Sequence, residues 1–171
     1  INERGEVETA YKWATERQIP VIMIGGGSNI IWKDEGFPGL VMVNKIPGLE
    51  IQQINDSEFY FQAGAGMIWD DFVSATVEHG LTGVEFLSLI PGTVGATPIQ
   101  NVGAYGQEVS NTIVTIEAFD TESKKLVNLR AGDCNFGYRS SIFKTTQRGR
   151  YLITAVTFFL TKANPSEPYY A

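Results

Sequence analysis

Residues 21–29 read VIMIGGGSN, a short apolar run that ends in three glycines, a serine and an asparagine. The apolar run from Val21 to Ile24 predicts a buried strand. Consecutive glycines let backbone N–H groups approach an anion closely, and Ser28 and Asn29 add side-chain donors. The stretch therefore predicts a phosphate-binding loop after a strand, with a simple glycine-rich turn as an equally good alternative.

The loop matches neither of the two common phosphate-binding motifs. Ile30 occupies the third glycine position of G-x-G-x-x-G, no helix is predicted after it, and no Gly-Lys-Ser/Thr ending is present. The apolar run from Ile30 to Trp32 instead predicts a second strand directly after the loop. Rossmann and P-loop domains are therefore disfavoured.

A second glycine-rich segment runs from Phe86 to Gln107 and contains no Asp, Glu, Lys, Arg or His. Long irregular loops in compact domains are usually functional. The glycines free backbone N–H groups to face a ligand, and neutral side chains such as Thr97 and Gln100 add hydrogen-bonding groups. The segment predicts a wall for a diphosphate and a flat polar ring system. A buried structural loop, whose glycines only permit tight packing, is the alternative.

The rest of the chain predicts an α+β fold. Hydrophobic periodicity predicts helices over about 5–18 and 67–79, the second ending at Gly80. Strands are predicted at 40–43, 51–54, 59–61, 113–120, 126–129 and 151–160. Two helices among many strands are typical of α+β domains. Residues 44–48, with Asn44, Pro47 and Gly48, are the best candidate boundary between two lobes.

Composition limits the classes of protein and partner. The chain has 171 residues, of which 43% are hydrophobic, enough for the core of one domain or of two lobes. Its net charge of -6 and its lack of basic runs make nucleic acid and anionic membranes poor partners. No apolar stretch in the sequence approaches the roughly 18 residues of a membrane span.

The sequence contains one cysteine and one histidine. A single cysteine excludes an internal disulfide, and one cysteine with one histidine cannot form a metal site with Cys-His spacing. We therefore expect no bound metal, and we expect a reducing, cytoplasmic location. Cys134 is predicted to be a buried structural thiol. His79 is predicted to end a helix, where a cation favours the helix dipole, rather than to act as a base.

Residues 136–144 read FGYRSSIFK and place Tyr138 and Arg139 side by side among apolar residues. A semi-buried arginine suits bidentate binding of a carboxylate and stabilises negative charge that develops during a reaction. An ion pair with one of the nineteen acidic residues is the alternative, and this segment alone favours it.

Four motifs in a fixed order resemble those of the UDP-N-acetylenolpyruvoylglucosamine reductase family, over nearly all of the chain. The motifs are GGGSN at 25–29, IPGTVG at 90–95, QNVGAYG at 100–106 and FGYRSSIFK at 136–144. The resemblance implies an FAD-binding domain of the vanillyl-alcohol oxidase type, with a small α/β lobe at 1–46 and a larger antiparallel α+β lobe at 47–163. It implies non-covalent FAD between the lobes, bound by Gly25, Gly26, Gly27, Ser28, Asn29, Ile90, Pro91, Gly92, Ala96, Thr97, Ile99 and Gly103.

The resemblance also implies a reaction. In that family NADPH reduces FAD, and hydride then passes to the enolpyruvyl double bond of a UDP-sugar, giving UDP-N-acetylmuramate for peptidoglycan synthesis. Arg139 matches the catalytic arginine beside the substrate carboxylate, where it would stabilise enolate-like charge. Tyr105, Tyr138 and Tyr170, together with Arg139, match substrate-binding positions.

Family members are longer than this chain, so we expect further segments. These are a stretch before Ile1 and a carboxyl-terminal substrate-binding domain that carries a serine proton donor and a glutamate. Residues 164–171 would begin the linker to that domain, and the chain alone is expected to be inactive. Two alternatives remain: an FAD-dependent oxidase of the same fold, or a flavin-free binding module. Oxidases of this kind often attach FAD through His or Cys, and His79 and Cys134 lie outside the glycine-rich loops.

Overall fold

The computed structural model describes residues 1–164 and 167–168. Two α-helices, α1 (Arg4–Glu16) and α2 (Trp69–Glu78), accompany the strands in this part of the chain. The strands are β1 (Val21–Ile24), β2 (Leu40–Val43), β3 (Leu49–Gln53), β4 (Glu58–Gly64), β5 (Gly103–Ala104), β6 (Gln107–Glu108), β7 (Ile113–Asp120), β8 (Lys125–Arg130) and β9 (Tyr151–Thr161). Short 3-10 helices span Glu85–Leu87, Val94–Ala96, Val109–Asn111 and Ala131–Asp133. The predicted α+β class is confirmed.

The main sheet has five antiparallel strands in the order β3-β4-β9-β7-β8. The central strand β9 is the long apolar run predicted from the sequence, and its Val156 and Phe158 are fully buried. Helix α2 covers this sheet with the apolar face that its periodicity predicts. Its Phe72 ring lies 4.5 Å from the Phe158 ring, and Trp69 stacks on Phe72. These aromatic contacts centre the larger core between α2 and β9.

The small sheet pairs β1 with β2 in parallel, from Val21 opposite Leu40 to Ile24 opposite Val43. Helix α1 packs beside it, because Val7 belongs to a second core together with Met42, Phe119 and Leu152. The last two residues come from β7 and β9, two inner strands of the main sheet, so this core joins α1 and the small sheet to the main sheet. The division between residues 46 and 47 stays a prediction.

Two pairs of the predicted strands form antiparallel hairpins. Strands β3 and β4 pair around a turn in which Asn55 Oδ1 accepts a hydrogen bond from the Ser57 N–H at 2.9 Å. Strands β7 and β8 pair from Asp120 opposite Lys125, around the polar turn between them. Helix α2 is followed by Gly80 with a φ of 69°, the left-handed conformation expected of a glycine terminator.

The strand predicted at Ile30 to Trp32 is wrong. After β1 the chain turns at Gly27, whose φ is 79°, and Ile30 N–H bonds back to Gly27 O at 3.3 Å. Ile31 is 99% exposed. An apolar run becomes a strand only where a neighbouring strand offers backbone partners, and the chain instead crosses to β2 without pairing here.

Candidate cofactor site

A cleft of about 600 Å³ lies where β1, the glycine loop at 25–29, the loop at 90–102 and the segment at 143–153 meet. Most of its walls are apolar. They include residues of β1, the Ile90-Pro91 pair and Leu152 of β9. Among the described residues, the charged side chains that line it are Lys144 and Arg148, and none of the lining residues is acidic. Such a cleft suits a flat, partly apolar ligand that carries negative charge.

The glycine loop requires glycine at two positions for two different reasons. A Cβ on Gly25 would collide with the hydroxyl of Thr93, which also lines the cleft. Gly27 has open space around it but adopts a φ of 79°, which side chains of L-residues disfavour. Gly26 has neither constraint. The loop thus keeps a bare backbone beside the cleft, as close approach to an anion requires.

The two glycine-rich loops are hydrogen-bonded to each other. Ser28 Oγ donates to Pro91 O at 3.1 Å, and Asn29 Nδ2 donates to Gln100 Oε1 at 3.1 Å. These bonds use the side chains that the sequence predicts as ligand donors. The Ser28 and Asn29 side chains therefore fix the position of the loop, whose residues line the cleft.

The loop at 90–102 is bound to the core through its backbone. Val94 N–H donates to Met67 O and Gly95 N–H donates to Ala65 O, each at 2.9 Å. A Cβ on Gly95 would lie 2.5 Å from the Ala65 Cβ. Gly92 has a φ of 143°, so it too favours glycine. Tight packing, the alternative considered from the sequence, thus explains Gly95, and conformation explains Gly92.

Thr93 carries the polar group that best indicates a ligand. Its side chain is 4% exposed, and among the described residues its Oγ1 has no hydrogen-bond partner. An unpartnered buried hydroxyl destabilises a fold by roughly 1–3 kcal/mol, so such groups are usually paired with something. The cleft therefore offers an orphan hydroxyl, bare glycine backbone and apolar walls. These features fit a dinucleotide with a flat ring system.

The predicted cofactor residues lie together in the structure. Every one of them lines the cleft except Gly103. Gly103 pairs with Glu108 between β5 and β6, and a Cβ there would lie 2.8 Å from Gln107 O. Packing explains that glycine without a ligand. The assignment of the other residues to cofactor binding stays a prediction.

Tyr138 and Arg139 lie outside the cleft, on a tight turn. Gly137 and Ser140 exchange backbone hydrogen bonds at 3.1 and 3.0 Å, and Arg139 has a φ of 51°. The expectation that Arg139 is semi-buried is wrong: it is exposed, and Tyr138 is 84% exposed. The turn projects both side chains away from the core. The guanidinium carbon of Arg139 lies 5.6 Å from the Tyr138 ring centre.

The ion-pair alternative for Arg139 has no support either. Across residues 1–164 and 167–168, no carboxylate lies within salt-bridge distance of Arg139. Tyr105 is 46% exposed and does not line the cleft. Tyr170 lies outside the described residues. The substrate-binding roles of these residues stay predictions.

Sequence reasoning missed two cleft residues that come from distant segments. Asn44 is buried, and its Nδ2 donates to Ile153 O of β9 at 2.8 Å, which joins the small sheet to the main one at the cleft. Arg148 lines the cleft from the segment before β9. Asn44 directly follows the apolar run that forms β2, and a polar residue at that position could have indicated a role at the end of the strand. Nothing local to Arg148 distinguishes it from a surface arginine.

The cysteine and the histidine have the structural roles expected of them. Cys134 is fully buried, and burial, with a smaller effect from Asp133, raises the pKa of its thiol to about 11. His79 ends α2, with its Nδ1 2.7 Å from Ala75 O. The described part of the chain holds no group of three or more potential metal ligands. It also holds no helix long and apolar enough to cross a membrane.

Comparison with protein families assigns the chain to a known type of domain. Residues 2–129 match the family model described as the FAD binding domain. The chain belongs to the FAD binding domain family. The match covers the glycine loop, the loop at 90–102 and the first strands of the main sheet. The features of the cleft that fit a dinucleotide thus occur in a domain whose family is defined by FAD.

Among known proteins, this FAD binding domain is similar to UDP-N-acetylenolpyruvoylglucosamine reductase from Thermobifida fusca. The two are 46% identical over 149 residues, which make up 87% of this chain and 41% of that protein. The chain thus spans less than half the length of this curated relative. The resemblance seen in the four motifs is confirmed for the FAD-binding portion of these reductases.

Solved structures show the same fold. The reductase from Thermus caldophilus superimposes with a TM-score of 0.72 at 24% identity, covering 94% of this chain and 53% of that one. A variant of the cholesterol oxidase from Brevibacterium sterolicum superimposes with a TM-score of 0.68 at 15% identity, covering 94% and 33%. At these identities the likeness concerns the fold alone. The FAD binding domain has the vanillyl-alcohol oxidase type of fold, as predicted.

Proposed function

We propose that this chain binds FAD non-covalently in its cleft and is the FAD-binding portion of a UDP-N-acetylenolpyruvoylglucosamine reductase. The whole protein would use NADPH to convert UDP-N-acetylglucosamine enolpyruvate to UDP-N-acetylmuramate, a step in peptidoglycan precursor synthesis. The observation that carries the proposal is the cleft between two glycine-rich loops, with the orphan Thr93 hydroxyl on its wall. The similarity to the Thermobifida fusca reductase supports the choice of reaction.

Different residues of the cleft would contact different parts of the cofactor. The backbone N–H groups of Gly26 and Gly27 would face the diphosphate, since no side chain blocks their approach. Ile90 and Pro91 would flank the flat ring, and Thr93 Oγ1 would gain the hydrogen-bond partner that it lacks among the described residues. When bound, FAD supplies hydride transfer from NADPH to the enolpyruvyl double bond.

Arg139 would act on the substrate rather than on the cofactor. Addition of hydride to the double bond leaves negative charge beside the substrate carboxylate, and a fixed guanidinium stabilises such charge. The tight turn from Gly137 to Ser140 restricts the backbone at Arg139, which supports this role. The exposure of Tyr138 and Arg139 fits a pocket completed by a substrate-binding domain elsewhere in a longer protein. That domain would also supply the proton donor.

The first experiment is a visible absorbance spectrum of the purified chain. The chain is incubated with FAD, and free cofactor is removed by gel filtration. We expect two flavin bands that persist with the protein and are released on denaturation. A folded chain that stays colourless would contradict FAD binding and favour the flavin-free module. In the longer protein, consumption of NADPH only in the presence of the UDP-sugar would separate the reductase from an oxidase.

A further inference from the structure

The segment at 141–150 forms the charged part of the cleft. It contributes Lys144 and Arg148, the two charged side chains among the lining residues. The other described residues of the lining are apolar or neutral, and none of them carries an acidic side chain. The chain as a whole has a net charge of -6. Two cations in an acid-free cleft of an acidic protein indicate that the cleft receives an anion.

The segment is held in place at both ends. At its start, Ser141 Oγ donates to Ile99 O of the second glycine-rich loop at 2.6 Å. At its end, Arg150 binds the buried Asp120 through two parallel hydrogen bonds of 2.8 and 2.9 Å. Between these anchors, Gln147 N–H donates to Ile142 O at 2.8 Å. The side chains between the anchors therefore extend from a fixed backbone, which lowers the entropy lost when they bind a ligand.

Arg148 and Arg150 are two residues apart but have opposite surroundings. Arg150 bonds to Asp120 and also lies 2.8 Å from a carboxylate oxygen of Glu122. Arg148 is exposed, and within the described residues no carboxylate is paired with it. Gly149 lies between them with a φ of 81°, in the left-handed region that favours glycine. One arginine is committed to the fold and the other is available to a ligand.

We infer that Arg148, assisted by Lys144, binds a phosphate group of the flavin nucleotide in this cleft. The inference rests on the proposed function, because it assigns residues to the phosphates of that cofactor. The glycine loop offers N–H dipoles but no formal charge, whereas a diphosphate carries two negative charges. Arg148 is the principal contact, since Lys144 Nζ already donates one hydrogen bond to Arg139 O at 3.1 Å.

The test compares Arg148→Gln with the unmodified chain in FAD titrations followed by flavin fluorescence. We expect the Kd for FAD to rise about three- to tenfold at about 0.05 M NaCl, because a charge-assisted contact is lost. At about 0.5 M NaCl the difference should shrink, since salt screens such contacts. The matched control is Lys125→Gln, which removes one cation from the exposed strand β8, outside the cleft. The Kd of Lys125→Gln for FAD should equal that of the unmodified chain.

Riboflavin separates a phosphate contact from a change in the shape of the cleft. It shares the ring system of FAD and lacks phosphate, so Arg148→Gln should bind it as the unmodified chain does. An equal loss of affinity for riboflavin and FAD would overturn the inference. Arg148→Lys keeps the charge and should retain most of the FAD affinity, and urea unfolding of each variant checks its fold.

The outcomes for the inference and for the proposed function are distinct. If the unmodified chain binds FAD and Arg148→Gln binds it equally well, the inference fails and the proposed function stands. If the folded, unmodified chain binds no FAD, the proposed function fails, and the inference fails with it.

Discussion

The loop at 90–102 and the turn at 137–140 carry motifs of the same resemblance, but the structure treats them in opposite ways. In the loop, Val94 is fully buried and its backbone bonds to the main core. In the turn, Tyr138 and Arg139 are exposed, and the backbone bonds mostly to itself. Asn101 links the two regions, since its buried Nδ2 donates to Gly137 O at 3.1 Å.

The difference shows that residues of the loop at 90–102 contribute to the stability of the fold, whereas Tyr138 and Arg139 at the tip of the turn do not. A glycine-rich loop can be buried only if its backbone groups find partners, so its shape and the stability of the core depend on each other. An exposed turn has no such dependence. Changes that move the backbone of the loop should therefore alter both folding and FAD binding, whereas changes at the tip of the turn should alter only steps that involve other molecules.

The largest expected effect comes from a methyl group added to the loop. Gly95→Ala would place a Cβ 2.5 Å from Ala65 Cβ and 3.0 Å from Ala65 O, so the backbone must move. We expect a loss of about 2–3 kcal/mol in the free energy of unfolding, measured with urea. The matched change in the turn is Gly137→Ala, where nothing lies within 4 Å, and it should alter stability by less than about 0.5 kcal/mol. If Gly95→Ala and Gly137→Ala lowered the free energy of unfolding equally, the contrast between the loop and the turn would be wrong.

The anchor between Asp120 and Arg150 should give the next largest effect. Hydrogen bonds from Arg150 hold the pKa of the Asp120 carboxyl well below its usual range. We expect Asp120→Asn to lower the free energy of unfolding by about 2 kcal/mol near pH 7. Glu122→Gln, which changes the exposed partner of the same arginine, should cost less than about 0.5 kcal/mol.

The same anchor predicts the sign of a pH dependence. A carboxyl whose pKa is lowered by folding contributes stability that is complete above the unfolded pKa of about 3.9 and is lost as the pH falls below it. The gap in unfolding free energy between the unmodified chain and Asp120→Asn should therefore narrow from about pH 7 to about pH 3. A gap that stays constant or widens with acid would show that the charge of Asp120 contributes nothing.

Thr93→Val should separate stability from binding within the loop itself. Valine has nearly the shape of threonine and removes a buried hydroxyl that has no partner in the described part of the chain. Without FAD, the free energy of unfolding should stay equal or rise by up to about 1 kcal/mol, while the Kd for FAD rises severalfold. Thr76→Val on α2 is the control. It removes a bonded hydroxyl, 2.7 Å from Val73 O, and should lower stability while leaving FAD affinity intact.

The smallest effect in this chain is expected from Arg139→Ala. The side chain is exposed and makes no ion pair with the described residues, so stability and FAD affinity should both stay unchanged. In a longer protein that contains the substrate-binding domain, the same change should lower turnover of the UDP-sugar with FAD still bound. A fall in FAD occupancy would place Arg139 at the cofactor instead, and unchanged turnover would remove it from the mechanism.

Local patterns predicted most of the secondary structure. Helix α2 and the β7–β8 hairpin follow from periodicity and turn residues, which act between near neighbours along the chain. The error at Ile30 to Trp32 has the opposite cause. Whether an apolar run becomes a strand depends on a partner from elsewhere in the chain, and the sequence of the run does not contain that information.

The residues of the candidate site also fall into those that local sequence predicts and those that it does not. The glycines at 25–27 and 92 were predictable, because glycine is the residue type that permits close approach and positive φ. Asn44, the orphan hydroxyl of Thr93 and the free cation of Arg148 were not predicted. Each depends on its surroundings in the described residues: Asn44 bonds to a carbonyl of β9, the Thr93 hydroxyl finds no hydrogen-bond partner there, and Arg148 finds no carboxylate.

The sequence by itself determined that this chain is an α+β domain with two glycine-rich loops of the kind found around FAD. Composition, periodicity and motif order carry that information, because they reflect conformational preferences of the residues themselves. Only the tertiary structure decided which arginine belongs to the fold and which is free, and that Arg139 is exposed. Burial and pairing depend on segments that are distant along the chain, so they are settled only when β7, β9 and the two loops come together.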